Sequence, residues 1–184
     1  MTNNIYFISD HHLNHANVLT FKRDDDTPLR DFPHVDAMHE YMIEKHNSVV
    51  RPQDKVYFLG DVAMDRRGLP VLHRMNGHKR LVRGNHDIFK TREYLEYFDE
   101  INGVRVFGGL PDRMKIVATH VPIHPDSLES RWTLNVHGHY HSNHVKDKHG
   151  KADMRYKNVC VDYKSIDYTP VSMDELIAHA ERLK

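Results

Sequence analysis

The chain is predicted to be an α/β protein built on two sheets rather than a simple doubly wound one. Three observations predict it. Short apolar runs of strand length recur along the chain from Ile5 to Asp162. Helical stripes alternate with these runs early, after which strands dominate. Most of the runs also end in a small polar cluster, and strand ends are where open α/β sheets gather their ligands.

Taken in order, Ile5-Tyr6-Phe7-Ile8 reads as a buried strand that ends in Ser9-Asp10-His11-His12. Leu13 to Phe21 predicts a loop with a helical turn. Lys22 to Phe32 is charged, contains Pro28 and is expected to be a surface loop, with Asp24-Asp25-Asp26 in solvent. Val35, Met38, Met42 and Val49 trace one stripe of a helix over 35–50. Val56-Tyr57-Phe58-Leu59 is the next strand and delivers Gly60-Asp61. A short helix is expected over Leu69 to Met75, and Leu81-Val82 then leads into Gly84-Asn85-His86-Asp87. Thr91 to Phe98 reads as helix, with Tyr94, Leu95 and Phe98 inward. Strands are expected at Val104 to Phe107, at Lys115 to Ala118 ending in Thr119-His120, and at Leu134 to His137 ending in Gly138-His139-Tyr140-His141. Ser142 to Lys157 is a polar excursion, and Asn158 to Asp162 is a late strand. The last helix starts at Ser172, where Ser172 and Glu175 form a capping box, and it packs Leu176, Ile177 and Ala180.

Bulk composition narrows the function classes. A chain of 184 residues fits one domain, 1–184, with a proper core. The 26 basic and 26 acidic side chains cancel, so no global field favours long nucleic acid or an anionic membrane. Cys160 is the only cysteine, which excludes a disulfide framework and a thiolate zinc site; it is expected to be inert core. No long apolar segment or secretory signal is present, so a cytoplasmic monomer or homodimer is expected. Histidine is abundant, at 17 residues, and histidine-rich composition points to metal binding.

The polar clusters at strand ends supply Asp10, His12, Asp61, Asn85, His120, His139 and His141, all oxygen or imidazole donors. Such a set suits two divalent ions such as manganese, iron, zinc, cobalt or nickel. Two ions ~3.5–4 Å apart need a shared anionic bridge, for which Asp61 is the natural carboxylate. Ions so paired clamp a phosphoryl group and generate a bridging hydroxide, which attacks directly with no covalent enzyme intermediate. His86, beside Asn85, is placed to protonate the leaving oxygen, and Asp87 is expected to orient its ring.

Asp10-His11-His12, Gly60-Asp61, Gly84-Asn85-His86-Asp87, Thr119-His120 and Gly138-His139-Tyr140-His141 together resemble the five ordered signatures of calcineurin-like metallophosphoesterases. The resemblance runs from Ile5 to Val161. It implies a four-layer α/β/β/α sandwich of two mixed sheets flanked by helices, with a bimetal site at the strand ends. It further implies that Asp10, His12 and His141 hold one ion, that Asn85, His120 and His139 hold the other, that Asp61 bridges them and that His86 assists the leaving group. The Asp-Arg-Gly that larger phosphatases of the family carry after the bridging Asp is displaced here by one residue, in Asp65-Arg66-Arg67-Gly68. No protein-phosphatase activity is therefore inferred. The chain is too short for a large cap, so short loops must choose the substrate.

Further candidates flank these motifs. His15 and Asn17 follow the first closely enough to reach a substrate. Arg83 can neutralise phosphate through its bidentate fork or make a surface ion pair. His124 can touch phosphate, and His137 can support its neighbours. His11 is expected to face away from the site, His39 and His46 to carry no chemistry, His144 and His149 to lie in solvent, and Trp132 to anchor core or loop. The function expected is hydrolysis of a small phosphomonoester or phosphodiester, with nucleotides among the candidates. A non-catalytic scaffold of the same fold and a nuclease are the alternatives.

Overall fold

In the computed structural model, residues 3–129 and 131–183 are described. The first sheet has five strands in the order β4 (Glu100–Asn102), β3 (His78–Val82), β2 (Lys55–Phe58), β1 (Ile5–Ile8) and β9 (Val171–Ser172). Only β9 runs antiparallel to its neighbour. The second has four, in the order β5 (Arg105–Phe107), β6 (Ile116–Thr119), β7 (Leu134–His137) and β8 (Tyr156–Asn158), with β5 antiparallel to β6. Both sheets are thus mixed, as expected.

Period-two alternation sets the layers. Tyr6, Ile8, Val56, Phe58 and Leu81 turn to one face of the first sheet and pack on Met38 and Met42 of α1 (Val35–Val49), on Leu72, and on Tyr94 of α2 (Thr91–Tyr94). Phe7, Tyr57, Leu59 and Val82 turn to the other face and meet Ile116, Ala118, Leu134 and Val136 of the second sheet. The outer face of that sheet is covered by Leu128 of α3 (Pro125–Glu129) and by Trp132. The result is an α/β/β/α sandwich whose fourth layer is thin. Leu176 and Ala180 of α4 (Met173–Glu181) join the core between the sheets, and the Ser172–Glu175 capping box forms as expected. No helix among the described residues is long and apolar enough to cross a membrane.

Several boundaries differ from expectation. The short helix expected over Leu69 to Met75 is a 3-10 helix over Arg66–Arg74 with Pro70 inside; proline removes the amide donor an α-helix would need there. The helix at Thr91 stops at Tyr94. The late strand ends at Asn158, beyond which a single parallel bridge, Ser9 to Cys160, links the two sheets. The segment Lys22 to Phe32 is not all surface loop. Asp24, Asp25 and Asp26 are exposed, but Leu29 and Arg30 are buried.

Candidate metal centre

Parallel pairing carries the candidate ligands to one crest. Beyond β1 and β2 the ladder continues through the loops: Asp10 N donates to Gly60 O at 3.0 Å, His12 N to Asp61 O at 3.0 Å and Leu13 N to Val62 O at 2.9 Å. On the second sheet, Gly138 N donates to His120 O at 2.9 Å. Around the Ser9–Cys160 bridge, Ser9 N donates to Val159 O and Val161 N to Ser9 O, both at 3.0 Å. The carboxyl ends of β1, β2, β6 and β7 therefore meet.

The turns that make this possible are strained. Asp10 (φ 60°), His12 (48°), Asp61 (52°), His139 (69°) and His141 (47°) all adopt left-handed backbone. For residues with a Cβ that conformation costs about 1–2 kcal/mol each, and such strain persists where a site needs it. Two glycines admit the close approach. A Cβ on Gly138 would overlap Ser9 Oγ and Asp10 Oδ2, and one on Gly84 would overlap Asp61 Oδ1.

Two clusters of potential metal ligands result: Asp10, His12 and His141, and Asp61, His120 and His139. The imidazoles of His12 and His141 lie 5.1 Å apart, as do those of His120 and His139. His12 Nε2 is 3.8 Å from Asp10 Oδ1 and 3.8 Å from Asp61 Oδ2; His120 Nε2 is 3.4 Å from the same Asp61 oxygen. One carboxylate oxygen thus faces both clusters. Asn85 Oδ1 lies 2.8 Å from His120 Nε2, so the neutral oxygen joins the second cluster.

These residues fit a pair of cations. Asp10 Oδ1 and His12 Nε2 are buried with no hydrogen-bond partner among the described residues, whereas buried polar atoms are ordinarily paired. His120 Nδ1 donates to Leu59 O at 2.8 Å, which turns Nε2 toward Asn85 Oδ1 and Asp61 Oδ2 inside the second cluster. Burial opposes charge on both carboxylates. Nonetheless, the neighbouring imidazoles of His12, His120 and His141 hold Asp10 far below the usual carboxylate range, and that of His120 lowers Asp61. Burial likewise opposes protonation of His120, but Asp61 and Asp10 outweigh it and raise its pKa to about 8. Two ionised carboxylates and an imidazole that takes up positive charge define a site built for cations.

Other predicted residues fall around this centre. His86 is exposed; its N donates to Asp61 Oδ1 at 2.8 Å and its ring lies 5.7 Å from that of His12. His15, half-buried, stands with its ring 5.8 Å from His12. Asn17 is exposed in the 3-10 turn Ala16–Thr20, where its carbonyl accepts from Thr20 Oγ1. Arg83 makes no ion pair among the described residues; its guanidinium donates to Asp87 O, Phe89 O and Thr91 Oγ1 and braces that loop. His124 is exposed beside α3 and accepts from Asp126 N. His137 is buried, donates from Nδ1 to Gly138 O at 2.8 Å, and is held by burial at a pKa of about 4. His11 packs its ring 4.9 Å from Phe58, away from the clusters.

Asp87 does not orient the His86 ring. Its carboxylate accepts from Asp61 N, Val62 N and Gly84 N at 2.8–3.0 Å and from the Tyr94 hydroxyl at 3.3 Å, and so staples the two ligand-bearing loops together. Cys160 is core as expected, but its Sγ donates to Asp10 Oδ2 at 3.0 Å. Two residues escaped the sequence reading. Asp162 accepts from His141 Nδ1 at 3.1 Å, and buried Arg30 donates both to Asp162 and to the carbonyls of Asp10 and His11. The signal for Asp162 was present, since it ends an apolar run as Asp10 and Asp61 do. Arg30, in a polar loop, carried none.

Fold and site together define a two-sheet α/β protein with paired histidine–aspartate clusters at its strand ends. No protein-family profile matches the sequence. The chain is 33% identical over 190 residues to the uncharacterized protein MJ1445 of Methanocaldococcus jannaschii, across 98% of this chain and 93% of that one, and it belongs to that protein's family. The crystal structure of AQ665 from Aquifex aeolicus, a protein of unknown function, superposes with a TM-score of 0.71 and 26% identity over 100% of both chains. A novel archaeal phosphodiesterase superposes with a TM-score of 0.49 and 16% identity over 92% of this chain and 98% of that one, too distant a likeness to carry activity across.

Proposed function

We propose that this protein is a hydrolase of small phosphate esters that works with two divalent metal ions. The observation that carries the proposal is the placement of Asp61 Oδ2, which faces His12 of one cluster and His120 of the other. In this reading Asp10, His12 and His141 hold one ion, Asn85, His120 and His139 hold the second, and Asp61 is shared. When bound, such ions supply Lewis-acid charge toward phosphoryl oxygens and a nucleophile from water at neutral pH.

The remaining chemistry falls to the chain. Water replaces the alcohol on phosphorus, and the departing oxygen needs a proton. His86 stands at the exposed rim, its backbone anchored on Asp61 and its ring 5.7 Å from that of His12. Its contribution as general acid is expected to be ~10²–10⁴ in rate. His15 borders the same opening and is a candidate to touch the substrate. The absence of net charge disfavours polymers with long phosphate backbones, so the proposed substrate is small.

The test is a panel of aryl monoesters, aryl diesters, nucleotides and cyclic nucleotides, each with manganese, iron, zinc, cobalt and nickel, run on the native chain and on Asp61→Asn. Asp61→Asn should lose both ions and turnover together. Full turnover by a variant devoid of both ions would refute the shared carboxylate, and inertness of the metal-loaded native protein toward every ester would refute the hydrolase.

A further inference from the structure

We infer that Asp162, braced by Arg30, is a positioning residue that fixes His141 as an Nε2 ligand; the inference rests on the metal-binding reading above. Asp162 and Arg30 both have fully buried side chains, at 0% exposure. A buried ion pair contributes little net stability, because desolvation offsets its attraction. Its geometry indicates a different task. The Arg30 Nε and Nη2 nitrogens both lie 3.0 Å from Asp162 Oδ2, and His141 Nδ1 lies 3.1 Å from the same oxygen. Asp162 Oδ1 has no hydrogen-bond partner among the described residues. The carboxylate is therefore aimed so that one oxygen holds arginine and histidine together, rather than spread across the guanidinium fork.

The consequence for His141 is chemical. A free imidazole presents either nitrogen. With Nδ1–H donating to Asp162, the lone pair is left on Nε2, which lies 3.9 Å from Asp10 Oδ1 inside the first cluster. A carboxylate behind a ligand histidine holds the tautomer, orients the ring and raises its basicity. Arg30 extends the brace to the other side of the cluster. Its Nη2 donates to Asp10 O at 2.5 Å and its Nη1 to His11 O at 2.7 Å. One guanidinium thus ties the backbone of ligand Asp10 to the carboxylate behind ligand His141. Arg23 adds a bond to the Asp162 carbonyl at 2.9 Å.

The experiment is calorimetric titration of the whole chain with manganese or zinc alone. Asp162→Asn should weaken one of the two ions by about 10–100-fold and leave the other within about twofold. In a His141→Ala background the same substitution should cause no further loss, because Asp162 acts through that ring. Unchanged affinity for both ions, or a loss that adds fully to that of His141→Ala, overturns the inference. A second measurement needs no variant. Nitrogen-15 spectra of the histidine-labelled native protein should show His141 protonated on Nδ1 with its lone pair on Nε2; the opposite tautomer also overturns it. If the native chain binds neither metal, the metal-binding reading itself fails, an outcome distinct from native binding that Asp162→Asn leaves intact.

Discussion

Asp87→Ala is expected to loosen the crest more than removal of any exposed motif residue. The native carboxylate, 3% exposed, accepts three backbone N–H bonds, from Asp61, Val62 and Gly84, and one hydroxyl bond from Tyr94. Each buried donor left without a partner costs about 1–3 kcal/mol. Three orphaned amides set an upper figure of roughly 9 kcal/mol on that scale, but a void on the half-buried Gly84 side admits water to satisfy some of them. The expected loss is therefore about 3–5 kcal/mol. Asp87→Asn should lose less, about 2 kcal/mol, because its carbonyl can still serve Asp61 N and Gly84 N while its amide faces Val62 N–H. Urea denaturation reads this as a lower midpoint at unchanged slope. A loss below about 1 kcal/mol in Asp87→Ala would refute the staple, since that is the scale of one ordinary bond.

Other perturbations reach other parts of the molecule. His46 on α1 is fully buried against Phe58, donates to Asn76 O at 3.0 Å, and is held by burial at a pKa of about 4. Its folded value lies below the unfolded value of about 6.5, so its contribution is present above pH ~6.5 and lost as pH falls from there through 4, by about 3 kcal/mol in all. His46→Gln should flatten the acid limb of a stability–pH curve by more than about 1 kcal/mol between pH 7 and 4.5, and an unchanged limb would refute that assignment. Gly138→Ala should displace Ser9 and Asp10, and metal titration should show the cluster that holds Asp10 weakened by tenfold or more, about 1.4 kcal/mol. His86→Ala should slow esters with poor leaving groups by ~10²-fold or more and activated aryl esters far less; equal losses on both would exclude it as the acid.

Much of the fold was legible because the runs Ile5-Tyr6-Phe7-Ile8 and Val56-Tyr57-Phe58 are buried on both faces of a parallel sheet and read as continuous apolar segments. The Ser172–Glu175 box marked α4 for an equally local reason, since it satisfies the first amides of its own helix. Pro70 was a local signal too, and the segment around it became 3-10 rather than α. Arg30 and Asp87 were not legible in their roles. An arginine in a loop of acids reads as surface, and an aspartate after His86 reads as its partner. Each is claimed instead by backbone groups of segments far away in the chain.

The amino-acid order by itself determined which residue types stand at strand ends, and hence a donor set of carboxylates, imidazoles and one amide without sulfur. Side-chain chemistry and local periodicity suffice for that. Only the tertiary structure decided that five of those residues turn through left-handed backbone onto one crest, that a single Asp61 oxygen faces both clusters, and that Asp162 and Arg30 stand behind His141. Those relations come from pairing between strands and loops far apart in sequence, where hydrogen-bond geometry and excluded volume act across space rather than along the chain.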